Sequence, residues 1–178
     1  MARWAVATFG RQANRRTDAA GLVSALEARG LRVGGFRQEA ATGDDAKAEV
    51  LVRIQGGDRA LLGGTRSPAT EGSCTFGFRD EAFEAGRRWL REDLPRSGVV
   101  VVHDVSKLEL KGAGHAPAIT EAIATQAPCV VLLLASGERL AQVLERFAPD
   151  DAPASWVELP APPEEMDRFA AELAAAAR

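Results

Sequence analysis

The chain has 178 residues and a mass of 18.9 kDa, and its content of 46% apolar and 26% charged residues is typical of a globular protein. This composition excludes disordered and collagen-like chains, and the formal net charge of −3 leaves no overall basic field to attract nucleic acid. Apolar runs such as 130–135 are too short to cross a bilayer. Two cysteines, Cys74 and Cys129, with no secretion signal ahead of them, favour a reduced compartment. We therefore expect a single cytoplasmic domain over residues 1–178.

Short apolar runs alternate with amphipathic segments along the chain, which is typical of an α/β sheet protein. Residues 4–9 predict a buried strand, a polar loop follows over 11–16, and Thr17 or Asp18 is expected to cap the next helix. A second strand is expected at 31–36. Such a unit predicts a right-handed crossover with the loop at the carboxyl end of the first strand.

The next segment predicts an insertion. Residues 48–55 largely alternate apolar and polar side chains, and together with 59–62 they flank the pair Gly56-Gly57. This pattern favours a β-hairpin insertion at about 48–64. A loop rich in Gly, Ser, Thr and Pro over 63–73 and a short strand at 74–78 are expected to follow.

The second half of the chain continues the alternation of strands and helices. Four consecutive valines at 99–102 are typical of a parallel strand that is covered on both faces. Strands are expected at 98–104, 128–134 and 156–159, and helices at 80–94, 116–125, 136–147 and 164–178. The pattern predicts a three-layer α/β fold with a mostly parallel sheet.

The loop after the first strand reads Gly10-Arg11-Gln12-Ala13-Asn14-Arg15-Arg16-Thr17. It has the position of a phosphate-binding P-loop, G-x-x-x-x-G-K-[ST], with Gly10 and Thr17 in register. Arg15 replaces the second glycine, where a side chain resists the backbone turn around a phosphate, and Arg16 replaces the lysine. The loop predicts a degenerate Walker A motif that binds an anion through Gly10, Arg15, Arg16 and Thr17. The alternative is a solvated loop whose arginines face water.

Charged residues follow the valine strand, which ends at His103-Asp104 and is followed by Lys107 and Glu109. An apolar strand that ends in an acidic residue is the Walker B arrangement, in which the carboxylate holds Mg²⁺. Asp104 is therefore a candidate magnesium ligand. If the two strands are neighbours, Asp104, Lys107 and Glu109 are expected near the Gly10 loop, with Lys107 reaching the anion. The alternatives are a turn-capping role for Asp104 and a solvated ion pair for Lys107 and Glu109.

The segment 104–110, D-V-S-K-L-E-L, resembles the D-E-I-G-K-M-E-L segment of the small P-loop nucleoside triphosphatases first described from thermophiles. The order of elements over about the first 135 residues is similar as well. The segment 107–114, K-L-E-L-K-G-A-G, resembles more closely an uncharacterised bacterial branch with an eroded phosphate loop. The resemblance implies a P-loop NTPase-like fold. It places the Walker B aspartate on His103 and the catalytic glutamate on Asp104, and it matches Lys107 and Glu109 directly.

The departures from the family pattern argue against hydrolysis. Histidine poorly replaces a carboxylate on hydrated Mg²⁺, and loss of the loop glycine and lysine removes stabilisation of phosphoryl transfer. We therefore expect a protein that binds a small anion, either a nucleotide phosphate or an oxyanion such as phosphate, sulfate or molybdate. One alternative is an active Mg-dependent nucleoside triphosphatase with Asp104 and Glu109 as catalytic residues. The other is a protein-interaction module with a relic site that uses the 48–62 hairpin. No nucleic-acid or membrane partner is expected.

Overall fold

The computed structural model describes residues 3–65, 76–147 and 152–178. Its strands are β1 (Arg3–Phe9), β2 (Val33–Ala40), β3 (Glu49–Arg53), β4 (Arg59–Thr65), β5 (Phe76–Phe78), β6 (Val99–Val105), β7 (Val130–Ser136) and β8 (Trp156–Leu159). Its helices are α1 (Arg15–Ala28), α2 (Asp80–Asp93), α3 (Lys107–Leu110), α4 (Ala116–Ala124), α5 (Leu140–Phe147) and α6 (Pro163–Ala176).

All eight strands form one sheet in the order β5-β4-β3-β2-β6-β7-β1-β8. The five strands from β2 to β8 in this order pair in parallel, whereas β3, β4 and β5 extend the β2 edge by antiparallel pairing. The predicted mostly parallel α/β fold is confirmed, and so is the hairpin, whose turn uses Gly56 and Gly57 at φ 93° and 74°. The strands β1 and β6 are not neighbours, because β7 lies between them. The condition under which Asp104, Lys107 and Glu109 are expected near the Gly10 loop, that the two strands are neighbours, is therefore not met.

Helices cover both faces of the sheet, which explains the run of four valines in β6. Val100 and Val102 point into a core with α2, α4 and α5, while Val99 and Val101 point into a second core with α1 and α6. Every one of these four side chains is fully buried. Because neither face of β6 contacts water, the strand lacks the alternation of apolar and polar side chains that a half-exposed strand shows.

Several boundaries differ from the sequence prediction for local reasons. Helix α1 begins at Arg15 and is capped by Asn14, not by Thr17 or Asp18. The segment after Ser136 begins as a short 3₁₀ turn before α5, and the Ser136 side chain makes no capping hydrogen bond. Strand β4 continues to Thr65, three residues into the predicted loop. The rest of that loop and Cys74 lie outside the described residues. Within the described residues, no helix is long and apolar enough to cross a membrane.

Candidate functional site

A cavity of about 740 Å³ opens at the carboxyl edge of the sheet, between the N-terminus of α1, the end of β6 and the antiparallel extension. We call it the strand-end cavity. Its polar lining comes from Asn14, Arg15, Arg16, Gln38, Lys47, Glu49, His103, Asp104 and Ser106, and its apolar lining from Leu62, Phe76 and Phe78. Ligands of open α/β sheets bind at this edge, because the parallel strands end there together.

The loop before α1 ends in hydrogen bonds that cap the N-terminus of the helix. The Asn14 side chain accepts a hydrogen bond from the Thr17 N–H at 3.1 Å, and the Asp18 carboxylate accepts one from the Asn14 N–H at 2.8 Å. No described residue other than glycine has a positive φ, so Arg15 occupies the first helical position in ordinary right-handed backbone. The side chains of Arg15 and Arg16 leave this first turn and line the cavity.

An ion pair joins α1 to the end of β6 across the intervening strand. The Arg15 guanidinium donates to the Asp104 carboxylate at 3.0 Å. The other Asp104 oxygen, Oδ1, is buried and has no hydrogen-bond partner among the described residues. Burial raises the pKa of Asp104 to about 6, although the neighbouring Arg15 charge opposes this shift. The Asp104 carboxylate is thus a stronger base than a solvent-exposed aspartate.

A second ion pair closes the other side of the cavity. Arg16 donates to the Glu49 carboxylate of β3 at 2.6 Å, and both side chains retain contact with solvent. Lys47 adds a further positive charge to the wall. Arg15, Arg16 and Lys47 therefore face two carboxylates, Asp104 and Glu49, and the cavity carries an excess of positive charge when its walls are ionised.

His103 contributes a neutral ring to the same cavity. Its Nδ1 accepts a hydrogen bond from the backbone N–H of Gln38 at 3.3 Å, which fixes the ring against β2. Burial and, to a lesser degree, the positive charges of Arg15, Arg37 and Arg16 together lower the pKa of His103 to about 3. The imidazole therefore stays uncharged at physiological pH.

Two of the sequence candidates lie elsewhere. Glu109 is buried, and its carboxylate accepts hydrogen bonds from the N–H and hydroxyl of Ser106 at 2.9 and 2.7 Å and from the His115 N–H at 3.1 Å. These bonds make Glu109 part of the capping box of α3. Lys107 lines a separate cavity of about 610 Å³ next to α5, together with Arg146. The structure therefore brings Arg15, Arg16 and Asp104 together without Lys107 or Glu109.

Gly10 and Thr17, the two P-loop positions in register, do not line the strand-end cavity. Gly10 lines a neighbouring cavity of about 630 Å³ with Arg11, Glu138 and Glu158, and Arg15 contributes to both cavities. Thr17 is exposed on α1 and lines neither cavity.

Sequence reasoning did not select Gln38, Lys47, Glu49 or Phe78 as site residues, although all of them line the strand-end cavity. Gln38 lies on the parallel strand β2. The other three come from the segment before β3, from β3 and from β5, and these strands reach the site through antiparallel pairing. The sequence does contain an indication of Gln38: the apolar start of β2 is followed by the polar run Arg37-Gln38-Glu39. Polar residues at the end of an otherwise buried parallel strand indicate a candidate site there.

Comparisons with known proteins support the fold. A family model described as "Protein of unknown function (DUF2478)" matches residues 6–156. The solution structure of a human cancer-related nucleoside triphosphatase is similar at a TM-score of 0.64 and 19% identity, covering 99% of this chain and 98% of that one. The crystal structure of THEP1 from the hyperthermophile Aquifex aeolicus is similar at a TM-score of 0.61 and 14% identity, covering 96% of each chain. No curated protein sequence matches the chain. At these identities the likeness shows the P-loop nucleoside triphosphatase fold.

Proteins with this fold that transfer phosphoryl groups use Mg²⁺, an ion that prefers oxygen ligands from carboxylates, phosphates and water. The Asp104 carboxylate already accepts from Arg15, and Thr17 does not line the cavity. Within the described ranges, no three His, Cys, Asp or Glu side chains converge as possible metal ligands. A guanidinium binds one of the two Asp104 oxygens. Among the described residues, the side chains alone therefore form no preformed set of ligands for a magnesium ion.

Proposed function

The chain belongs to the DUF2478 family, and we propose that it binds a phosphate-bearing anion in the strand-end cavity, with little or no hydrolysis. The observation that carries this proposal is the convergence of Arg15 and Arg16, from the first turn of α1, on a cavity that Lys47 and the neutral His103 also line. Guanidinium groups bind phosphate oxygens strongly because their planar N–H groups match the spacing of those oxygens.

The size and lining of the cavity favour a nucleotide phosphate over a bare oxyanion. A volume of about 740 Å³ lies within the range of small-molecule sites and exceeds what one phosphate group fills. Leu62 of β4 and Phe76 and Phe78 of β5 give the cavity an apolar lining, whereas the arginines come from α1. An aromatic base offers a flat apolar surface to such a wall, whereas phosphate, sulfate or molybdate offers none.

The proposal of little hydrolysis depends on Arg15 and Arg16. A P-loop glycine lets the backbone turn around the phosphate, and its lysine reaches the terminal phosphates as a compact charge. Here Arg15 is the first residue of a capped helix, and its guanidinium pairs with Asp104. The alternative, an active Mg-dependent triphosphatase with Asp104 and Glu109 as catalytic residues, requires both carboxylates to be free for catalysis. Titrations with and without Mg²⁺ separate the two functions.

The variant Arg16→Ala tests the proposed site. Arg16 is the better choice because Arg15 also balances the buried Asp104, and its loss would disturb the fold. We expect Arg16→Ala to weaken binding of phosphate or ATP by about tenfold, as expected for one lost charge-assisted hydrogen bond. Conversely, Glu49→Gln removes the carboxylate that competes for Arg16, and it is expected to tighten binding. Isothermal titration calorimetry measures both.

The matched control is Arg29→Ala, at the opposite end of the same helix. Arg29 pairs with Asp167 and lies about 20 Å along the helix axis from Arg16, given the rise per residue of an α-helix. Its removal is expected to leave the affinity unchanged. If Arg16→Ala and Arg29→Ala bind the anion equally well, Arg16 has no place in the site.

A further inference from the structure

His103 occupies a position at which the resemblance to triphosphatases implies an acidic residue. Its side chain is 98% buried, since only 2% of its surface is exposed, and yet it forms part of the wall of the strand-end cavity. A buried histidine usually satisfies both ring nitrogens, because an unpaired polar group in a dry environment costs free energy.

The two ring nitrogens of His103 have different surroundings. Nδ1 accepts a hydrogen bond from the Gln38 backbone N–H, and therefore carries no proton. In a neutral imidazole the proton is then on Nε2, which becomes a hydrogen-bond donor. Among the described residues, the one hydrogen bond of the His103 ring is at Nδ1, and none is made by Nε2. This N–H is the polar atom of the ring that is left for a ligand in the cavity.

The charges around His103 keep it in this form. Burial is the largest cause that opposes protonation of the ring, and the positive charges of Arg15, Arg37 and Arg16 add to it. The nearby carboxylate, Asp104, pairs with Arg15 and not with the imidazole. A metal ion would add another positive charge to this cationic environment, whereas an anion would be attracted to it.

From this geometry we infer that His103 is a specificity-determining residue that donates its Nε2 hydrogen to an oxygen of the bound anion. The inference rests on the proposed anion binding and deepens it. The position that binds a metal through a carboxylate in a magnesium-dependent enzyme contacts the phosphate directly here. The ligand is therefore a metal-free phosphate group, either inorganic phosphate or the phosphate of a nucleotide, whose oxygens accept hydrogen bonds from Arg16 and His103 together.

Two amide variants separate the two nitrogens of the ring. In His103→Asn the side-chain oxygen takes the place of Nδ1 and can still accept from the Gln38 N–H, but nothing replaces Nε2. In His103→Gln the amide N–H reaches the place of Nε2, and the acceptor for Gln38 is lost. We expect His103→Asn to bind inorganic phosphate about tenfold more weakly, and His103→Gln to bind it within about threefold of the unaltered protein.

A measurement on the unaltered protein covers the case in which these buried variants do not fold. Long-range ¹H–¹⁵N spectra report which imidazole nitrogen carries the proton, and the chain has two histidines to assign. A His115→Leu variant identifies the His103 signals. We expect a protonated Nε2 and an unprotonated Nδ1, with the Nε2 signal shifting when inorganic phosphate is added in the presence of EDTA and the His115 signals unmoved.

The outcomes distinguish this inference from the proposed function. If phosphate and ATP do not bind the unaltered protein at all, the proposed function fails, and the inference fails with it. If they bind but the Nε2 signal does not shift, or His103→Asn binds as well as the unaltered protein, only the role of His103 is overturned. A proton found on Nδ1 also overturns it, because that ring has no N–H to offer the ligand.

Discussion

At the scale of single residues, two buried histidines have different surroundings. His103 lines a cavity and makes one hydrogen bond, whereas His115 packs between the rings of Phe36 and Phe83 at centroid distances of 4.6 and 4.8 Å. Neither ring nitrogen of His115 has a partner among the described residues. Burial lowers the pKa of His115 to about 3. His115 is therefore a core residue whose effect appears in stability and not in binding.

The pH dependence of unfolding tests this assignment. An unfolded histidine has a pKa of about 6.5, so below that pH the unfolded chain binds a proton that the folded ring does not. The contribution of His115 to stability is complete above about pH 6.5 and is lost as the pH falls toward 3. Asp104 has the opposite effect, because its pKa in the folded protein is raised to about 6 from 3.8. Its contribution to the free energy of unfolding therefore increases as the pH falls from about 6 to about 4.

The variant His115→Leu isolates the histidine. Relative to the unaltered protein, its free energy of unfolding, measured by urea denaturation, is expected to be higher (the variant more stable) at pH 5 than at pH 8 by about 2 kcal/mol. The value at pH 8 serves as the internal control, since the ring is neutral there in both states. An equal difference at both pH values would show that His115 titrates normally in the folded chain.

At the scale of elements, Glu109 of α3, a candidate catalytic residue by sequence, has a structural role in the folded chain. Ser106 and Glu109 have the spacing of a capping box, S-x-x-E, and the structure forms it. Glu109 also accepts from the His115 N–H, and thereby ties the start of α3 to the start of α4. Both oxygens of this buried carboxylate are therefore used within the fold.

Replacement of this carboxylate by an amide should affect folding and not binding. Glu109→Gln places an N–H₂ against backbone donors, and we expect it to lower the free energy of unfolding by about 1–3 kcal/mol. The anion affinity is expected to stay the same, because Glu109 does not line the strand-end cavity. The control is Glu145→Gln on α5, an exposed residue whose change should be within about 0.5 kcal/mol. A stable Glu109→Gln protein that no longer binds the anion would contradict this account.

The sequence predicts the elements better than it predicts their ends. The valines of β6 and the Gly56-Gly57 turn have local patterns that admit few other structures, and both predictions are confirmed. The start of α1 was placed too late because Asn14 competes with Thr17 and Asp18 as a cap, and all three are good capping residues. Helix α3 was missed, although its capping box is visible in the sequence, because it has only four residues.

At the scale of the whole molecule, the order of strands decides which residues meet. With β7 between β1 and β6, the contact between Arg15 and Asp104 depends on the long arginine side chain that crosses the end of that strand. Sequence patterns do not contain this order, because any parallel strand of valines and leucines can occupy the centre of a sheet. The antiparallel extension brings Lys47 and Glu49 to the same cavity from the other side.

The site that results has its charges paired before any ligand arrives. Arg15 pairs with Asp104, and Arg16 pairs with Glu49. A phosphate group must compete with these carboxylates, and it gains the Nε2–H of His103 in return. Because cations already occupy the positions beside the carboxylates, the whole arrangement predicts that binding needs no metal ion.

The measurement that tests this claim most directly is a calorimetric titration of the unaltered protein with inorganic phosphate and with ATP, each in excess Mg²⁺ and in EDTA. The account predicts that at least one of these ligands binds, and that its dissociation constant in EDTA is within about threefold of the value in Mg²⁺. Binding that requires Mg²⁺ would contradict the account and restore the triphosphatase alternative. Absence of binding under all four conditions would contradict it as well.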